Sequence, residues 1–596
     1  MKVLKRSEID GKYKWKTTDI FESDAAFYAR LDELSKKTEI LGAYKGKLND
    51  KGLLLEVLRK EEGISKDLNL LGLYAHMKKD EDTKEVKYSA MYDKVVALSV
   101  KISSDGSYIT PEISAFDGEY LQSLITDKDF ADFDYMLSEI LRNKAHILSD
   151  KEEKLMAEMH NFSSKFKETF TMFDNADILF DKIKTRDGET IELTHGLYGV
   201  LLQSHDRRLR KKAYEAMFSA YKRYINTIAA NYSGNVMKNV FSAKVRNYDG
   251  ALDRALSGEN VDSIVYENLL EAVDLNVGCL HRYVSLRRKV LGYKTLHFYD
   301  MYVPIVADAD IKLEYVDAFE LVKRALAPMG DEYVKLLEQA YKGGWIDVCE
   351  NANKRSGAYS TDAYGVHPYV LLNYQQTTHD VFTIAHELGH ALHSYYSNKN
   401  QPYSKAGYEI FVAEVASTVN EVLLLEYLLK KAKGDERKYL LSYYLDMFRT
   451  TLFRQSMFAE FERFAHEMGE KDTPINADSL SEGYKALNRK YYGDDIVYDE
   501  FIECEWARIP HFYNAFYVYK YATGIISAVS IADALLNDNQ RAVKEYKKFL
   551  SAGGSASPVD ILKLAGADLR SKEPFEKAMK VFSRVLAELE KEYGKE

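Results

Sequence analysis

The amino-acid sequence predicts a mainly α-helical protein. Long stretches carry apolar residues at the three- and four-residue spacing of a helix with one buried face, and only 9 of the 596 residues are proline. Strand patterns are short and local. The clearest helical stretches are residues 25–41, 264–290 and 419–432. With 46% hydrophobic and 29% charged residues, a chain of this length can bury a large core.

Two segments predict small β elements. Asp187 and Gly188 lie between the apolar runs 178–180 and 191–193, which is the pattern of a β-hairpin. A second strand-like region covers residues 357–374, immediately before the helix that contains the strongest motif of the sequence. We therefore expect few strands, with one group of them near that helix.

The composition argues against several classes of function. A net charge of -10 disfavours a nucleic-acid partner, and we interpret the basic run 207–212 as a solvated helix face. Cys279, Cys349 and Cys504 are far apart and form no C-x-x-C pair, so they suggest neither a disulfide framework nor a metal site. The charged N-terminus and the lack of an apolar run of about 18 residues predict a cytoplasmic protein with no membrane partner.

The strongest motif, His-Glu-Leu-Gly-His, begins at His386. On a helix, His386 and His390 lie one above the other and can bind one zinc ion together, with Glu387 beside a metal-bound water. Thr377 or Thr378 is expected to cap the start of this helix. The spacing therefore predicts the centre of a zinc hydrolase.

A third zinc ligand is available further along the chain. Catalytic zinc commonly takes three protein ligands and leaves one position for water. Glu414 lies between apolar residues on the next predicted helix, where an unpaired carboxylate would be costly to bury. We favour zinc as the partner of Glu414, and an unseen arginine or lysine is the alternative.

Two residues near the motif have more than one interpretation, and one further segment only partly repeats the motif. Glu421 can hydrogen-bond a zinc-binding histidine or pair with a lysine, and His393 can support the metal site or simply pack in the core, which we favour. Residues 466–470 begin with His-Glu but carry a glutamate where a second histidine would be needed. We interpret that segment as an exposed, charged helix face.

These motifs resemble the oligopeptidase F branch of the thimet oligopeptidase family of zinc metallopeptidases. The family pattern H-E-x-G-H, followed by a glutamate on a later helix, is matched by residues 386–390 and Glu414. The likeness is strongest between about residues 350 and 525. Four other segments also resemble this branch: residues 356–360, 367–369, 508–513 and 516–524.

The resemblance implies two helical lobes around a deep substrate channel, with one zinc ion per chain on the channel wall. Short peptides are the expected substrates and are cut internally, because folded proteins do not enter such a channel. We divide the chain into residues 1–200, an N-terminal helical lobe region with the hairpin, and residues 201–596, the catalytic zinc metallopeptidase region.

The resemblance also implies a mechanism. A zinc-bound water attacks the scissile carbonyl after Glu387 takes its proton as general base. In this family a histidine and tyrosines of the C-terminal segment contact the transition state. His511 is the clearest match, followed by Tyr519 and Tyr513. Packing in the core or in the channel wall is the alternative for the tyrosines.

Two other functions fit parts of the sequence. A helical zinc carboxypeptidase would use the same ligands but remove single residues from a free C-terminus. A binding protein with a structural or vestigial metal site would need no Glu387, and structural zinc is usually closed by four protein ligands, often cysteine. No cysteine lies near these ligands in the sequence, so we favour an enzyme.

Overall fold

Helices dominate the computed structural model, which describes residues 4–37, 39–306, 312–537 and 539–594. The prediction of a mainly α fold is confirmed. In chain order the α-helices of the described residues are α1 (Asp24–Ser35), α2 (Lys51–Glu81), α3 (Val86–Gly106), α4 (Ile109–Ser114), α5 (Gly118–Ile125), α6 (Asp134–Asn143), α7 (Asp150–Ser163), α8 (Lys165–Met172), α9 (His195–Leu202), α10 (Arg207–Arg223), α11 (Ile225–Val245), α12 (Ala251–Ser257), α13 (Ser263–Val290), α14 (Tyr315–Ala325), α15 (Asp331–Lys342), α16 (Thr378–Asn400), α17 (Tyr403–Ala406), α18 (Ile410–Leu429), α19 (Gly434–Phe448), α20 (Arg454–Glu470), α21 (Ala477–Tyr492), α22 (Tyr519–Asn537), α23 (Asn539–Leu550), α24 (Pro558–Leu564) and α25 (Glu573–Tyr593).

The strands of the described residues are only two or three residues long. They are β1 (Ile183–Lys184), β2 (Thr190–Ile191), β3 (Leu296–His297), β4 (Ile346–Asp347), β5 (Tyr359–Thr361), β6 (Tyr369–Leu371) and β7 (Ile496–Val497). In those same parts of the chain, no helix combines the length and the apolar character that crossing a membrane requires.

The chain forms two compact units, each assembled from three segments. The first unit contains residues 1–145, 310–427 and 531–567, and the second contains residues 146–309, 428–530 and 568–596. The division into residues 1–200 and 201–596 stays a prediction about two consecutive regions.

The predicted hairpin is present, in the second unit. β1 pairs antiparallel with β2, and Ile183 lies opposite Ile191. The first strand begins after the predicted apolar run 178–180. A hydrogen bond from Thr185 N to Glu189 O closes the loop, so the strands pair only at the residues directly beside the turn. Gly188 has a φ of 86°, a backbone conformation that glycine adopts without steric cost.

In the first unit, a three-stranded sheet supports the motif helix. The strand order is β4-β6-β5, with β4 parallel and β5 antiparallel to β6, so β5 lies at the edge. Helix α16 packs against β5 and β6. Strands β5 and β6 fall within the predicted region 357–374 and confirm that part of the prediction, whereas β4 lies before it.

Buried polar contacts fix this sheet to its neighbours. Tyr359 of β5 donates a hydrogen bond to Asp80 of α2 at 2.7 Å. Asp347 of β4 is buried and forms ion pairs with Arg6 and Lys354, both at 2.7 Å. Because a buried carboxylate is costly unless paired, these contacts help to hold β4 and β5 in place.

The basic run 207–212 of α10 is not simply a solvated face, so that interpretation was wrong in part. Arg210 is fully buried, and its guanidinium lies 2.6 Å from Asp300. Arg207 contacts the same carboxylate at 2.7 Å. The charge of Arg210 is tolerated inside the second unit because Asp300 compensates it.

Candidate active site

The motif helix α16 begins with a cap that the sequence predicts. The Thr377 hydroxyl accepts a hydrogen bond from Asp380 N at 3.2 Å, and Asp380 accepts one from Thr377 N at 2.9 Å. This reciprocal pair satisfies two backbone donors that a helix start leaves free. Of the two candidates, Thr377 is therefore the cap.

Helix α16 crosses α18 at very short distance. A Cβ atom at Gly389 would lie 2.5 Å from Ser417 Cα and 2.7 Å from Ala416 O, closer than real Cβ atoms approach backbone. Asn420, which is fully buried, donates a hydrogen bond to Ala385 O at 3.0 Å. Glycine at position 389 thus permits the crossing that brings Glu414 to the two histidines.

Three predicted ligand atoms converge at this crossing. The Nε2 atoms of His386 and His390 are 3.2 Å apart, and Glu414 Oε2 lies 3.4 Å from each of them. Two imidazole nitrogens that bind one tetrahedral zinc ion at about 2.0–2.1 Å would be separated by about 3.3 Å. Within the described ranges, these three residues form the one group of three or more His, Cys, Asp or Glu side chains that could share an ion. Both the donor types and the distances fit zinc.

Glu414 is more exposed than its apolar neighbours in the sequence suggest. Its side chain is 49% exposed, so the expectation of a buried carboxylate was wrong. Its contacts are His386, His390 and the Ser417 hydroxyl at 3.2 Å, and no Arg or Lys of the described residues lies within 4.0 Å of it. Hydrogen bonds with the two histidines hold the pKa of Glu414 well below its usual range. The alternative of an arginine or lysine partner is therefore not observed.

Glu421 fixes the orientation of His386. The Nδ1–H of His386 donates a hydrogen bond to Glu421 Oε1, which leaves Nε2 free to bind a metal. Burial lowers the pKa of His386, but hydrogen bonds with Glu414 and Glu421 outweigh this effect and raise it to about 10. A metal ion bound at Nε2 would therefore displace a proton from that atom. Of the two interpretations of Glu421, contact with His386, a predicted zinc ligand, is the observed one.

Glu387 is buried beside the ligand atoms. Only 7% of the residue is exposed. Burial raises the pKa of its carboxyl, and the neighbouring His386 and His390 reduce this rise. A carboxylate with a raised pKa is a stronger base than one in water, which suits proton transfer.

His393 lies in the core of the first unit. It is fully buried, and neither ring nitrogen has a hydrogen-bond partner among the described residues. Its ring stacks on Tyr408 with centroids 3.9 Å apart, and burial lowers the pKa of His393 to about 3. These contacts support packing rather than support of the metal site.

The C-terminal segment of interest lies in the second unit. His511 is exposed in the 3-10 helix Pro510–Tyr513, and its ring is 6.3 Å from that of Tyr517 and 6.0 Å from that of Tyr521. Both tyrosines are partly exposed. The structure therefore groups His511 with Tyr517 and Tyr521.

Tyr513 and Tyr519, the two tyrosines that the sequence ranks next, are buried in the second unit. Tyr513 stacks on Phe170 at 4.5 Å and accepts a hydrogen bond from Asn231 at 3.1 Å. The Tyr519 ring packs against Tyr266 at 5.4 Å. A contact of either hydroxyl with substrate stays a prediction.

Comparisons with known proteins identify the family of the chain. A profile described as peptidase family M3 matches residues 200–581, and one described as oligopeptidase F matches residues 112–180. The chain belongs to peptidase family M3. The resemblance to oligopeptidase F that the motifs indicate is confirmed.

Relatives of this M3 peptidase match it over nearly its whole length. Oligopeptidase PepF of Bacillus subtilis is 41% identical over 98% of this chain and 88% of its own. Group B oligopeptidase PepB of Streptococcus agalactiae is 39% identical over 98% of both chains. The crystal structure of oligoendopeptidase-F from Enterococcus faecium is 34% identical, with a TM-score of 0.73 over 96% of this chain and 100% of its own.

A strained turn follows His511 in this peptidase, at Phe516. The sequence alone did not predict it. Phe516 has a φ of 56°, a conformation that bulky residues rarely adopt. Its backbone N donates a hydrogen bond to Glu462 Oε1 at 3.0 Å.

Glu462 is fully buried, and burial raises the pKa of its carboxyl well above the usual value. Glu462 thus holds the turn between His511 and Tyr517. The one sign of this contact in the sequence is an acidic residue, Glu462, among the apolar residues of α20.

The resemblance implies that His511 contacts the transition state. We therefore expect Glu462→Leu to lower kcat by about 10–100-fold, because the turn loses its acceptor and His511 shifts by a fraction of an ångström or more. Glu462→Gln is the matched control, since its amide oxygen accepts the same hydrogen bond, and it should stay near wild type. Steady-state kinetics with zinc content as a second readout check this. Equal kcat values for the leucine and glutamine variants would contradict the positioning role.

Residues 466–470 are not an exposed face, which corrects the interpretation made from the sequence. His466 is 1% exposed. Its Nδ1–H donates to Glu462 O at 2.8 Å, and its Nε2 accepts from Asn239 at 3.1 Å. Burial lowers the pKa of His466 to about 4, so the ring is neutral. Charged residues on the outer side of α20 hid this inward position.

Proposed function

We propose that this M3 peptidase is a zinc-dependent endopeptidase that hydrolyses short oligopeptides, with one zinc ion per chain bound by His386, His390 and Glu414. The observation that carries the proposal is the convergence of their three ligand atoms within 3.2–3.4 Å of one another. Three protein ligands are the usual set of a catalytic zinc site, which keeps one position open.

The neighbouring side chains account for the chemistry. When bound, zinc supplies a Lewis acid that lowers the pKa of a water molecule and polarises the scissile carbonyl. Glu387 takes the proton of the attacking water as general base and passes it to the leaving amine. Glu421 holds His386 in the tautomer that presents Nε2.

Donors for the developing oxyanion are proposed in the segment 511–521. His511 is the first candidate, because it is the clearest match to the family and its side chain is exposed to solvent. Tyr519 and Tyr513 remain candidates from the resemblance, while the exposure of Tyr517 and Tyr521 beside His511 supports adding those two. Donors aimed at an oxyanion act mainly in the transition state.

The preference for short peptides rests on the relatives and on the sheet. The curated relatives are called oligopeptidases. Strand β5 lies at the edge of its sheet and packs against the metal-site helix, so it is suited to bind a peptide backbone as an added strand. Backbone pairing accepts many side chains, and a deep channel, as the resemblance implies, would admit only unfolded chains.

We expect an internally quenched peptide blocked at both ends to be cleaved, because an endopeptidase needs no free terminus. A stably folded domain should survive the same treatment. Peptide mapping by mass spectrometry identifies the cuts. An intact blocked peptide, together with stepwise loss of single residues from a free C-terminus, would instead support the carboxypeptidase alternative. Rapid degradation of the folded domain by pure enzyme would contradict a restricted channel.

A further inference from the structure

A cavity of about 420 Å³ lies in the second unit among residues of α7, α11 and α12. It contains none of the residues proposed for zinc or catalysis. This volume is typical of sites for small molecules, which occupy roughly 300–1,000 Å³. Three cationic and three hydroxyl-bearing side chains make up half of its lining, and Met156 and Met159 supply an apolar wall.

The cavity carries more positive than negative charge. Lys238, Arg246 and Arg254 line it together with one carboxylate, that of Glu153. Both oxygens of Glu153 are engaged by Arg246, each at 2.8 Å. In the ranges that the structure covers, no carboxylate lies within 4.0 Å of the Lys238 ammonium or the Arg254 guanidinium. Two positive charges therefore face the cavity without a counter-ion.

Burial and neighbouring cations destabilise the charged forms of Lys238 and Arg254. Burial and the nearby charges of Arg254 and Lys167 lower the pKa of Lys238. Burial and the charge of Arg246 lower the pKa of Arg254. The Lys238 ammonium has one neutral acceptor, Asn235 Oδ1 at 2.8 Å. Partly buried charges are normally paired, so this arrangement favours an anion in the cavity.

The donors of the cavity match a phosphate group. Arginine presents a planar fork of N–H donors that fits phosphate oxygens, and lysine adds a point charge. The hydroxyls of Ser163 and Ser242 lie on the same walls and can serve further oxygens. Two uncompensated positive charges match the charge of a phosphate dianion better than that of a single carboxylate.

We propose that this cavity binds a small phosphate-bearing molecule, with the phosphate between Lys238 and Arg254 and an apolar body against Met156 and Met159. Free inorganic phosphate and a phosphate ester share this chemistry. The site is independent of the proposed peptidase function, because its residues contribute nothing to the metal centre.

Isothermal titration calorimetry on the full chain tests the proposal, with inorganic phosphate and phenyl phosphate in chloride buffer of constant ionic strength. We expect one phosphate per chain at this site. Lys238→Gln and Arg254→Gln should each weaken binding by about 10–100-fold, as for the loss of a charge-assisted hydrogen bond. Lys182→Gln removes an equal charge from the exposed hairpin region, where Lys182 pairs with Glu192 at 2.6 Å, and should leave affinity unchanged.

The two probes distinguish the sources of the phosphate. Binding of phenyl phosphate at least tenfold tighter than that of inorganic phosphate would support a phosphate ester, and equal affinities would support free phosphate. No binding to the wild-type chain would overturn the proposal. Unchanged binding in both cavity variants would also overturn it, since the phosphate would then bind elsewhere.

Thermal unfolding without phosphate provides a second readout. Because Lys238 and Arg254 repel one another, Lys238→Gln should have a Tm equal to or above that of the wild type. At the same concentration, phosphate should raise the Tm of the wild type more than that of this variant, in line with its weaker binding. A clear fall in the Tm of both cavity variants in phosphate-free buffer would give the cations a structural role and overturn the proposal.

Discussion

Glu387→Gln is expected to keep the fold and the zinc but to lose nearly all turnover. Glutamine has the shape of glutamate, and Glu387 is not among the three residues proposed to bind zinc. Only the ability to take a proton disappears, so the loss should appear in kcat. General base catalysis contributes on the order of 10²–10⁴ in rate. Steady-state kinetics on a quenched peptide, with zinc content in parallel, checks this prediction.

Glu320→Gln is the matched control for this variant. Glu320 is an exposed carboxylate on α14 of the same unit and pairs with Lys323 at 2.7 Å. It should retain wild-type activity. A Glu387→Gln enzyme with more than about a tenth of the wild-type kcat/KM would contradict the role of Glu387 as base.

His511→Ala is expected to lower kcat more than it raises KM. We propose that the imidazole donates a hydrogen bond to an oxyanion that exists only late in the reaction, and such interactions appear in kcat. Loss of one donor of this kind typically costs on the order of 10²–10³ in rate. The same kinetics should be measured for single Tyr→Phe variants at 513, 517, 519 and 521.

The tyrosine scan separates packing from catalysis. A tyrosine whose hydroxyl contacts the oxyanion should show the kcat defect of His511→Ala, while one that only packs should lose stability at most. The resemblance points to Tyr519 and Tyr513, and exposure points to Tyr517 and Tyr521. Normal turnover of His511→Ala and of all four variants would contradict an oxyanion contact in this segment.

Local sequence signals predicted the parts of the site that depend on helix geometry. The spacing of His386 and His390 fixes their common face, and the Thr377 cap fixes where α16 begins. Glu414 was found because catalytic zinc needs a third ligand and this acid opens the next helix. The three side chains meet in the structure as that reasoning requires.

Burial could not be read from local patterns. Helical period shows which residues share a face, but the neighbour that covers the face is set by distant parts of the chain. Arg210 is buried because Asp300 lies opposite, and His466 because α20 turns it toward Asn239. Glu414, conversely, stays half-exposed among apolar neighbours. Each error concerns a contact between residues far apart in sequence.

The supporting contacts of the site were visible only in three dimensions. The need for glycine at 389 follows from the approach of Ser417, and the strain at Phe516 is offset by Glu462 on another helix. Glu421 had two possible partners in the sequence, and the fold selects His386. The sequence identifies chemical groups at fixed spacing, whereas tertiary packing decides how they are held.

The zinc content of the chain, purified without chelator, tests the central claim most directly. Elemental analysis should find about one zinc per wild-type chain, as three converging ligands require. His390→Ala removes one ligand atom and should lose most of the zinc together with the activity. The exposed His379→Ala serves as control on the same helix and should keep both. Zinc content in His390→Ala equal to that of the wild type would contradict the assignment of His386, His390 and Glu414 as the metal centre.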